Sequence, residues 1–168
     1  MRAFASPPRT TRITVGIADY AVGERGATLV TFGLGSCVAI ALHAPGAGVG
    51  ALAHVLLPNV LLSGVPGSPG KFASTALPVM LRRMRELGAG DDVRARLAGG
   101  ASMFSSLLAT GAVSLGARNI AAARAACAAH DIEVVAEDVG GAHGRSVYLD
   151  VSEGTLLVRS MRAGDVTL

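Results

Sequence analysis

Two apolar segments on either side of one tight turn place the strongest constraint on the fold of this 168-residue chain. They run from Val38 to Leu42 and from Val49 to Leu57, and the turn between them is centred on Pro45-Gly46. We expect the two segments to pair as an antiparallel hairpin, which places Cys37 directly opposite His54. Opposed side chains in such a pair have Cβ atoms roughly 4.5–5.5 Å apart. The hairpin therefore predicts a thiol beside an imidazole, the arrangement of a nucleophile and its base.

The residues just before Cys37 fit the same chemistry. They read TFGLGSC, and their glycines permit a sharp turn in the backbone and close approach of a substrate. Backbone N–H groups around Gly35 and Ser36 are predicted to stabilise an oxyanion. Thr31 lies an even number of residues before the cysteine, so it is predicted to orient the imidazole through its hydroxyl. We expect a thiol–imidazole ion pair to lower the pKa of the thiol below its free value of roughly 8.5.

Each of these residues also has a purely structural interpretation. Cysteine often serves as a small buried hydrophobe, and spacing alone slightly favours that role for Cys37; the neighbouring glycines favour the nucleophile. His54 lies among Leu and Val residues, where a core histidine bonded to a carbonyl is the alternative. Burying an imidazole without a partner is costly, so Cys37 is its best predicted partner. Thr31 alone is an ordinary strand threonine, and Cys127 is predicted to be structural.

Several classes of protein are disfavoured. The remaining histidines do not have metal-ligand spacing with the two cysteines, so neither a metal nor another cofactor is predicted. Aromatic residues make up only 4% of the chain and the arginines are scattered, which argues against a nucleic-acid surface, although an acidic protein partner would fit. The sequence lacks an uninterrupted apolar span of bilayer length and a disulfide framework, so we predict a cytoplasmic protein that does not insert into membranes.

The predicted fold is α+β, with residues 13–168 as a single domain after a flexible lead over residues 1–12. Strand candidates outnumber helices, so the sheet is expected to be mixed. Besides the two hairpin segments, the predicted strands are Ile13 to Ala18, Leu29 to Phe32, Val93 to Leu97, Ile132 to Ala136, Ser146 to Val151 and Leu156 to Arg159. Helices are predicted over Leu77 to Leu87 and Asn119 to His130, and a loop over Asn59 to Gly70. Pro78 either lies in a first turn capped by Ser74 or Thr75, or kinks a longer helix.

Five sequence blocks resemble a known family, the chemoreceptor glutamine deamidases (CheD) of bacterial and archaeal chemotaxis. They appear in the family's order and span most of the chain. The blocks are Thr31 to Cys37 (TFGLGSC), Ala53 to Pro58 (AHVLLP), Leu97 to Phe104 (LAGGASMF), Leu115 to Asn119 (LGARN) and Glu137 to Asp150 (EDVGGAHGRSVYLD). The first two are specific when taken together, and the last is specific by itself.

The resemblance implies that the family's catalytic cysteine, histidine and threonine fall on Cys37, His54 and Thr31. It implies a substrate, selected glutamines of methyl-accepting receptors, and a possible partner, a CheC-type phosphatase. It also implies a fold similar to that of toxin-type cysteine deamidases, with sheets packed together and helices outside. The chain departs from the family pattern at Ser74, where aspartate is frequent, at His43-Ala44-Pro45 and at Pro78.

Two other functions stay open from the sequence. The chain would also suit a non-catalytic module that binds receptors or a CheC-type phosphatase, or a deamidase acting on some other protein.

Overall fold

A computed structural model of the protein describes residues 10–59, 67–103 and 111–168. Within these ranges the chain forms ten strands, two α-helices and a short 3-10 helix. The strands are β1 (Thr11–Thr14), β2 (Tyr20–Glu24), β3 (Ala27–Leu34), β4 (Val38–Ala44), β5 (Val49–Val55), β6 (Arg94–Gly99), β7 (Glu133–Val139), β8 (Arg145–Asp150), β9 (Leu156–Arg159) and β10 (Val166–Thr167). The helices are α1 (Ala73–Glu86) and α2 (Leu115–Ala129), and the 3-10 helix (Pro69–Lys71) precedes α1.

The strands form two mixed sheets of five strands each. The first sheet has the order β1-β3-β8-β9-β10, and the second has the order β2-β5-β4-β6-β7. Strands β1 and β3 run parallel in the first sheet, as β6 and β7 do in the second, and the other neighbours are antiparallel. The predicted α+β class with mixed sheets is confirmed.

The second sheet is the middle layer of three. Strand β4 is buried along its whole length because alternate residues face two different cores. Val38, Ile40 and Leu42 pack in a cluster with residues of both helices. Ala39 and Ala41 pack in a second cluster with residues of the first sheet. Both helices therefore cover one face of the second sheet, and the first sheet covers the other, which confirms packed sheets with helices outside.

Helix α1 buries one apolar face, as the helical spacing predicts. Its buried residues are Ala73, Ala76, Leu77, Met80, Leu81 and Met84. The helix starts earlier than predicted and contains Pro78, so of the two alternatives the longer helix is correct. Thr75 does not cap it: the Thr75 hydroxyl donates to the carbonyls of Pro69 and Phe72 instead. Gly88 follows the last turn with φ +94°, a conformation that favours glycine and ends the helix as predicted.

The β4–β5 hairpin forms as predicted, but in a different register. Ala39, rather than Cys37, lies opposite His54. The cause is the turn, where Gly48 adopts φ +64° and its N–H donates to the carbonyl of Ala44 at 2.9 Å. This closes a four-residue connection over residues 45–48, so the turn is centred on Gly46-Ala47 and not on Pro45-Gly46. The prediction of a directly opposed Cys37 and His54 is therefore wrong.

The boundaries of the other elements differ from the predictions in places. The first predicted strand ends at Thr14, because Ala18 turns back with φ 61° and donates its N–H to the carbonyl of His54. Strand β1 begins at Thr11, inside the predicted lead, of which residues 1–9 lie outside the described ranges. Most of the predicted 59–70 loop, residues 60–66, also lies outside them. Strands β2 and β10 were not predicted. Among the described residues, no helix has the length and apolar character needed to cross a membrane.

Candidate active site

Thr31, His54 and Cys37 lie where the two sheets face each other. Thr31 belongs to β3 of the first sheet, His54 to β5 of the second, and Cys37 directly precedes β4. Thr31 and His54 are fully buried, and Cys37 is 8% exposed. Thr31 Oγ1 lies 2.7 Å from His54 Nδ1, so a hydrogen bond crosses between the sheets. The fold thus brings Thr31 and His54 together, although they are 23 positions apart in the sequence.

The Thr31 hydroxyl fixes which nitrogen of His54 carries a proton. Thr31 Oγ1 also lies 2.7 Å from the carbonyl oxygen of Val15, which can only accept a hydrogen bond. The hydroxyl therefore donates its single proton to Val15 and must accept from Nδ1–H of His54. Nε2 of the neutral ring is then unprotonated. It is buried and has no hydrogen-bond partner among the described residues, which leaves its lone pair free to accept a proton.

Cys37 lies one residue beyond the β4–β5 ladder, on the side of the second sheet on which His54 lies. Ala39 pairs with His54, and Cys37 lies two residues before Ala39. Cys37 and Ala39 both pack in the cluster between the sheets. The thiol and the imidazole therefore share the inter-sheet space even though they are not directly opposed.

Burial keeps both groups neutral. It raises the pKa of the Cys37 thiol, an effect that the hydrogen bond from the residue's own backbone N–H partly offsets. Burial also lowers the pKa of His54 to about 4. At neutral pH the pair is thus a thiol and a neutral imidazole, and the expected lowering of the thiol pKa by an ion pair is wrong. Desolvation dominates at this site: it leaves Nε2 of His54 unprotonated, and it also weakens the imidazole as a base.

The loop that carries Cys37 is held by its carbonyl groups. The carbonyl of Gly35 accepts from the N–H of Ala101, and that of Cys37 accepts from the N–H of Gly100, each at 2.7 Å. The carbonyl of Ser36 accepts from the side chain of Asn119 at 2.9 Å. Among the described residues, no backbone carbonyl accepts from the N–H of Ser36. A free, pre-oriented N–H is what an oxyanion donor requires.

A cleft of about 240 Å³ opens beside this loop. Among the described residues its lining has no charged side chain, and it consists of Ser36, Ala101, Ser102, Met103, Ser114, Leu115 and Gly116. Met103 is half exposed, and its terminal methyl packs so closely over Gly35 that a Cβ there would collide with it. A cleft with this lining, beside the loop that carries Cys37, suits an uncharged polar side chain such as a carboxamide. The sequence did not predict this cleft, because its walls come from three separate parts of the chain.

Arg145 is another residue that sequence reasoning missed. Its side chain is 1% exposed and forms a two-pronged ion pair with Asp138, at 3.1 and 3.2 Å. It also donates to the carbonyl of Gly140 at 2.9 Å. Arg145 thereby braces a loop whose backbone is hydrogen-bonded to Gly99 and to Ser102. The segment that contains Gly99 and Ser102 supports the Cys37 loop in turn. The signal in the sequence that could have identified Arg145 was its place shortly after an acidic pair, within a glycine-rich stretch.

Neither cysteine is in a disulfide, and within the described ranges no group of three or more His, Cys, Asp or Glu side chains is placed to hold a metal ion. Cys127 lies buried on α2, where burial raises the pKa of its thiol to about 11. An inert thiol of this kind fits the structural role predicted for Cys127.

Comparisons with known proteins agree on one family. Residues 56–160 match the family model described as CheD chemotactic sensory transduction. The chain is 41% identical over 152 residues to the chemoreceptor glutamine deamidase CheD of Thermotoga maritima, covering 90% of this chain and 93% of that protein. It is 40% identical over 158 residues to a probable chemoreceptor glutamine deamidase CheD of Pyrococcus abyssi, covering 94% and 96%. A probable CheD of Haloarcula marismortui is 38% identical over 167 residues, covering 97% and 94%.

Proposed function

Since the chain belongs to the CheD family, we propose that it is a chemoreceptor glutamine deamidase in which Cys37 is the nucleophile, His54 the general base and Thr31 the residue that orients the base. The reaction hydrolyses the side-chain carboxamide of a glutamine to a carboxylate and releases ammonia. The substrate class follows from the family, and the roles of the three residues rest on the geometry of the site.

The first half of the proposed mechanism forms a thioester. Nε2 of His54 takes the proton of the Cys37 thiol as the sulfur attacks the carboxamide carbon. The oxygen of the resulting tetrahedral intermediate carries the negative charge, and the N–H of Ser36 beside the Gly35 turn stabilises it. The protonated imidazole then donates its proton to the nitrogen, ammonia leaves, and the glutamine acyl group remains bound to the sulfur.

The second half hydrolyses the thioester. Neutral His54 accepts a proton from water as the water oxygen attacks the acyl carbon, and it returns that proton to the departing sulfur. Thr31 keeps Nδ1 protonated throughout, so Nε2 is the nitrogen that exchanges protons. A neutral glutamine thereby becomes an anionic glutamate.

One observation carries this proposal: the pair of hydrogen bonds, at 2.7 Å each, that ties the carbonyl of Val15, the Thr31 hydroxyl and Nδ1 of His54 together. It leaves a buried Nε2 without a partner among the described residues, on the same face of the sheet as the thiol. A histidine with a purely structural role would be expected to satisfy both ring nitrogens.

Mass spectrometry of a receptor cytoplasmic fragment tests the proposal. Incubation with the native protein is expected to raise the mass of specific glutamine-containing peptides by about one unit, and incubation with Cys37→Ala is expected to leave them unchanged. No mass gain with either protein, together with binding of the fragment by both, would favour a non-catalytic receptor-binding module. A mass gain that persists with Cys37→Ala would refute the role of the thiol.

The remaining features of the family extend the proposal. We propose a cytoplasmic location, where a free thiol survives, and a single catalytic domain over residues 13–168. A CheC-type phosphatase is a second proposed partner besides the receptor. Co-elution of the two purified proteins in size-exclusion chromatography tests this, and separate elution at micromolar concentrations would count against it.

A further inference from the structure

Strands β4 and β5 separate at the active site. The last residues that pair at this end are Val38 and Val55, and backbone pairing between the two strands stops there. Ser36, on the loop that carries Cys37, and Leu56, two residues after His54, lie on opposite sides of this opening. The N–H of Leu56 donates to the carbonyl of Lys71, so backbone pairing with the Cys37 loop has ended there.

The side chain of Asn119 bridges the opening. Its Nδ2 donates one hydrogen to the carbonyl of Ser36 at 2.9 Å and the other to the carbonyl of Leu56 at 3.1 Å. Asn119 is fully buried and lies in the second turn of α2, so the bridge is attached to the helical layer. One amide group therefore ties together the segment of the nucleophile, the segment of the base, and a helix behind both.

Packing alone does not account for an asparagine here. Its Oδ1 is buried and has no hydrogen-bond partner among the described residues, and such an acceptor destabilises a fold. An apolar side chain would fill the position without that cost. The two donated hydrogen bonds are the gain that offsets it: one ends on the residue before Cys37, and the other ends two residues after His54.

From this geometry, and resting on the proposed function, we infer that Asn119 is a positioning residue that sets the distance and orientation between the Cys37 thiol and Nε2 of His54. It does so through the backbone, and it touches neither the reacting atoms nor the substrate. Its removal therefore alters the geometry of proton transfer without changing any side chain that lines the cleft beside Ser36.

Asn119→Leu and Asn119→Asp test the inference. Leucine has a similar size and no donor, whereas an ionised aspartate places carboxylate oxygens against two carbonyl oxygens. A displacement of about 1 Å between reacting groups is enough to cost roughly 100-fold in rate, so we expect kcat for receptor deamidation to fall by about that factor. The KM for the receptor fragment is expected to change less than kcat, because every side chain that lines the cleft is retained.

Cys127→Ala is the matched control. Cys127 is buried on the same helix and is 1% exposed, and none of the described hydrogen bonds joins its side chain to the Cys37 loop. This variant loosens the packing of α2 without affecting the bridge, so its kcat is expected to be native. Urea unfolding of all variants identifies those that are folded under the assay conditions.

Alkylation of Cys37 by iodoacetamide, located by peptide mass mapping, supplies a readout that does not depend on turnover. Release of the loop lessens the burial that raises the thiol pKa, so folded Asn119→Leu is expected to react several-fold faster than Cys127→Ala at pH 7. Slower deamidation together with faster alkylation in Asn119→Leu, with neither change in Cys127→Ala, separates release of the Cys37 loop from simple loss of helix packing.

The two failures are distinguishable. If the native protein deamidates the fragment and both Asn119 variants keep kcat and alkylation rates equal to those of Cys127→Ala, the positioning role is overturned. If the native protein does not deamidate the fragment, the proposed function fails, while the alkylation comparison still decides whether Asn119 holds the Cys37 loop.

Discussion

Replacing Thr31 by valine removes a hydroxyl that makes two buried hydrogen bonds while preserving the shape of the side chain. The change leaves the carbonyl of Val15 and Nδ1–H of His54 without partners. A buried polar group without a partner costs about 1–3 kcal/mol, so we expect the free energy of unfolding to fall by roughly 2–4 kcal/mol.

The same change also removes the hydrogen bond that favours the tautomer of His54 with its proton on Nδ1. A hydrogen bond worth about 1–1.5 kcal/mol favours the ring with a proton on Nδ1, and 1.4 kcal/mol corresponds to about a tenfold change in population. Without it, the ring spends most of its time with Nε2 protonated or rotated. We therefore expect kcat to fall by about tenfold or more, less than the complete loss expected for Cys37→Ala.

Thr31→Ser is the matched control, because it keeps both hydrogen bonds and removes one methyl group, at a cost of about 1 kcal/mol. Deamidation kinetics on a receptor fragment, measured as ammonia release, compare the two variants after urea unfolding has shown that both are folded. A serine variant with near-native kcat beside an impaired valine variant supports the tautomer mechanism. A valine variant with native kcat would refute it.

Three further outcomes follow from the burial of charged and titratable groups. The pKa of His54 falls from 6.5 to about 4 in the fold, so the unfolded chain binds more protons than the folded protein between these two pH values. The free energy of unfolding, measured by urea titration, should therefore drop as the pH is lowered through this window. The part of the drop that is due to His54 should vanish in His54→Gln. Because burial raises the pKa of Cys37, its alkylation by iodoacetamide at pH 7 should be slower than that of a free cysteine and should rise steadily with pH; a rate already at its plateau at pH 7 would contradict this. Arg145→Ala should lower the free energy of unfolding by about 3–5 kcal/mol, because it leaves Asp138 without its partner in a largely buried ion pair. Arg83→Ala breaks an exposed ion pair and should lower the free energy of unfolding by less than about 1 kcal/mol.

Local patterns in the sequence predicted most of the strands and both helices. The hairpin around Pro45 was visible because apolar segments flank a glycine-containing turn. Its register was not, since that depends on Gly48 taking φ +64° and closing the turn on Ala44. Strand β2, with the sequence YAVGE, carries no clear alternation, and pairing with β5 gives it its strand conformation.

The three candidate catalytic residues could be chosen from the sequence because a thiol, an imidazole and a hydroxyl can act together as nucleophile, base and orienting group. Their electrostatics were not predictable, because the neutral state of Cys37 and His54 depends on burial between two sheets. Asn119 and Arg145 were missed: the partners of Asn119 are backbone carbonyls in distant segments, and the signal for Arg145 was limited to an arginine shortly after an acidic pair in a glycine-rich stretch. Residues that act through the backbone leave little trace in a sequence pattern.

The thioester itself offers the most direct test of the central claim. Because the substrate is a protein, attack by Cys37 joins the two chains covalently, and rapid acid quenching of a reaction with a receptor fragment should trap this adduct for intact-mass measurement. We predict an adduct with the summed mass of both chains less one ammonia, located at Cys37, cleaved by hydroxylamine and absent from Cys37→Ala. An adduct at another residue, or native deamidation rates in Cys37→Ala, would contradict the mechanism.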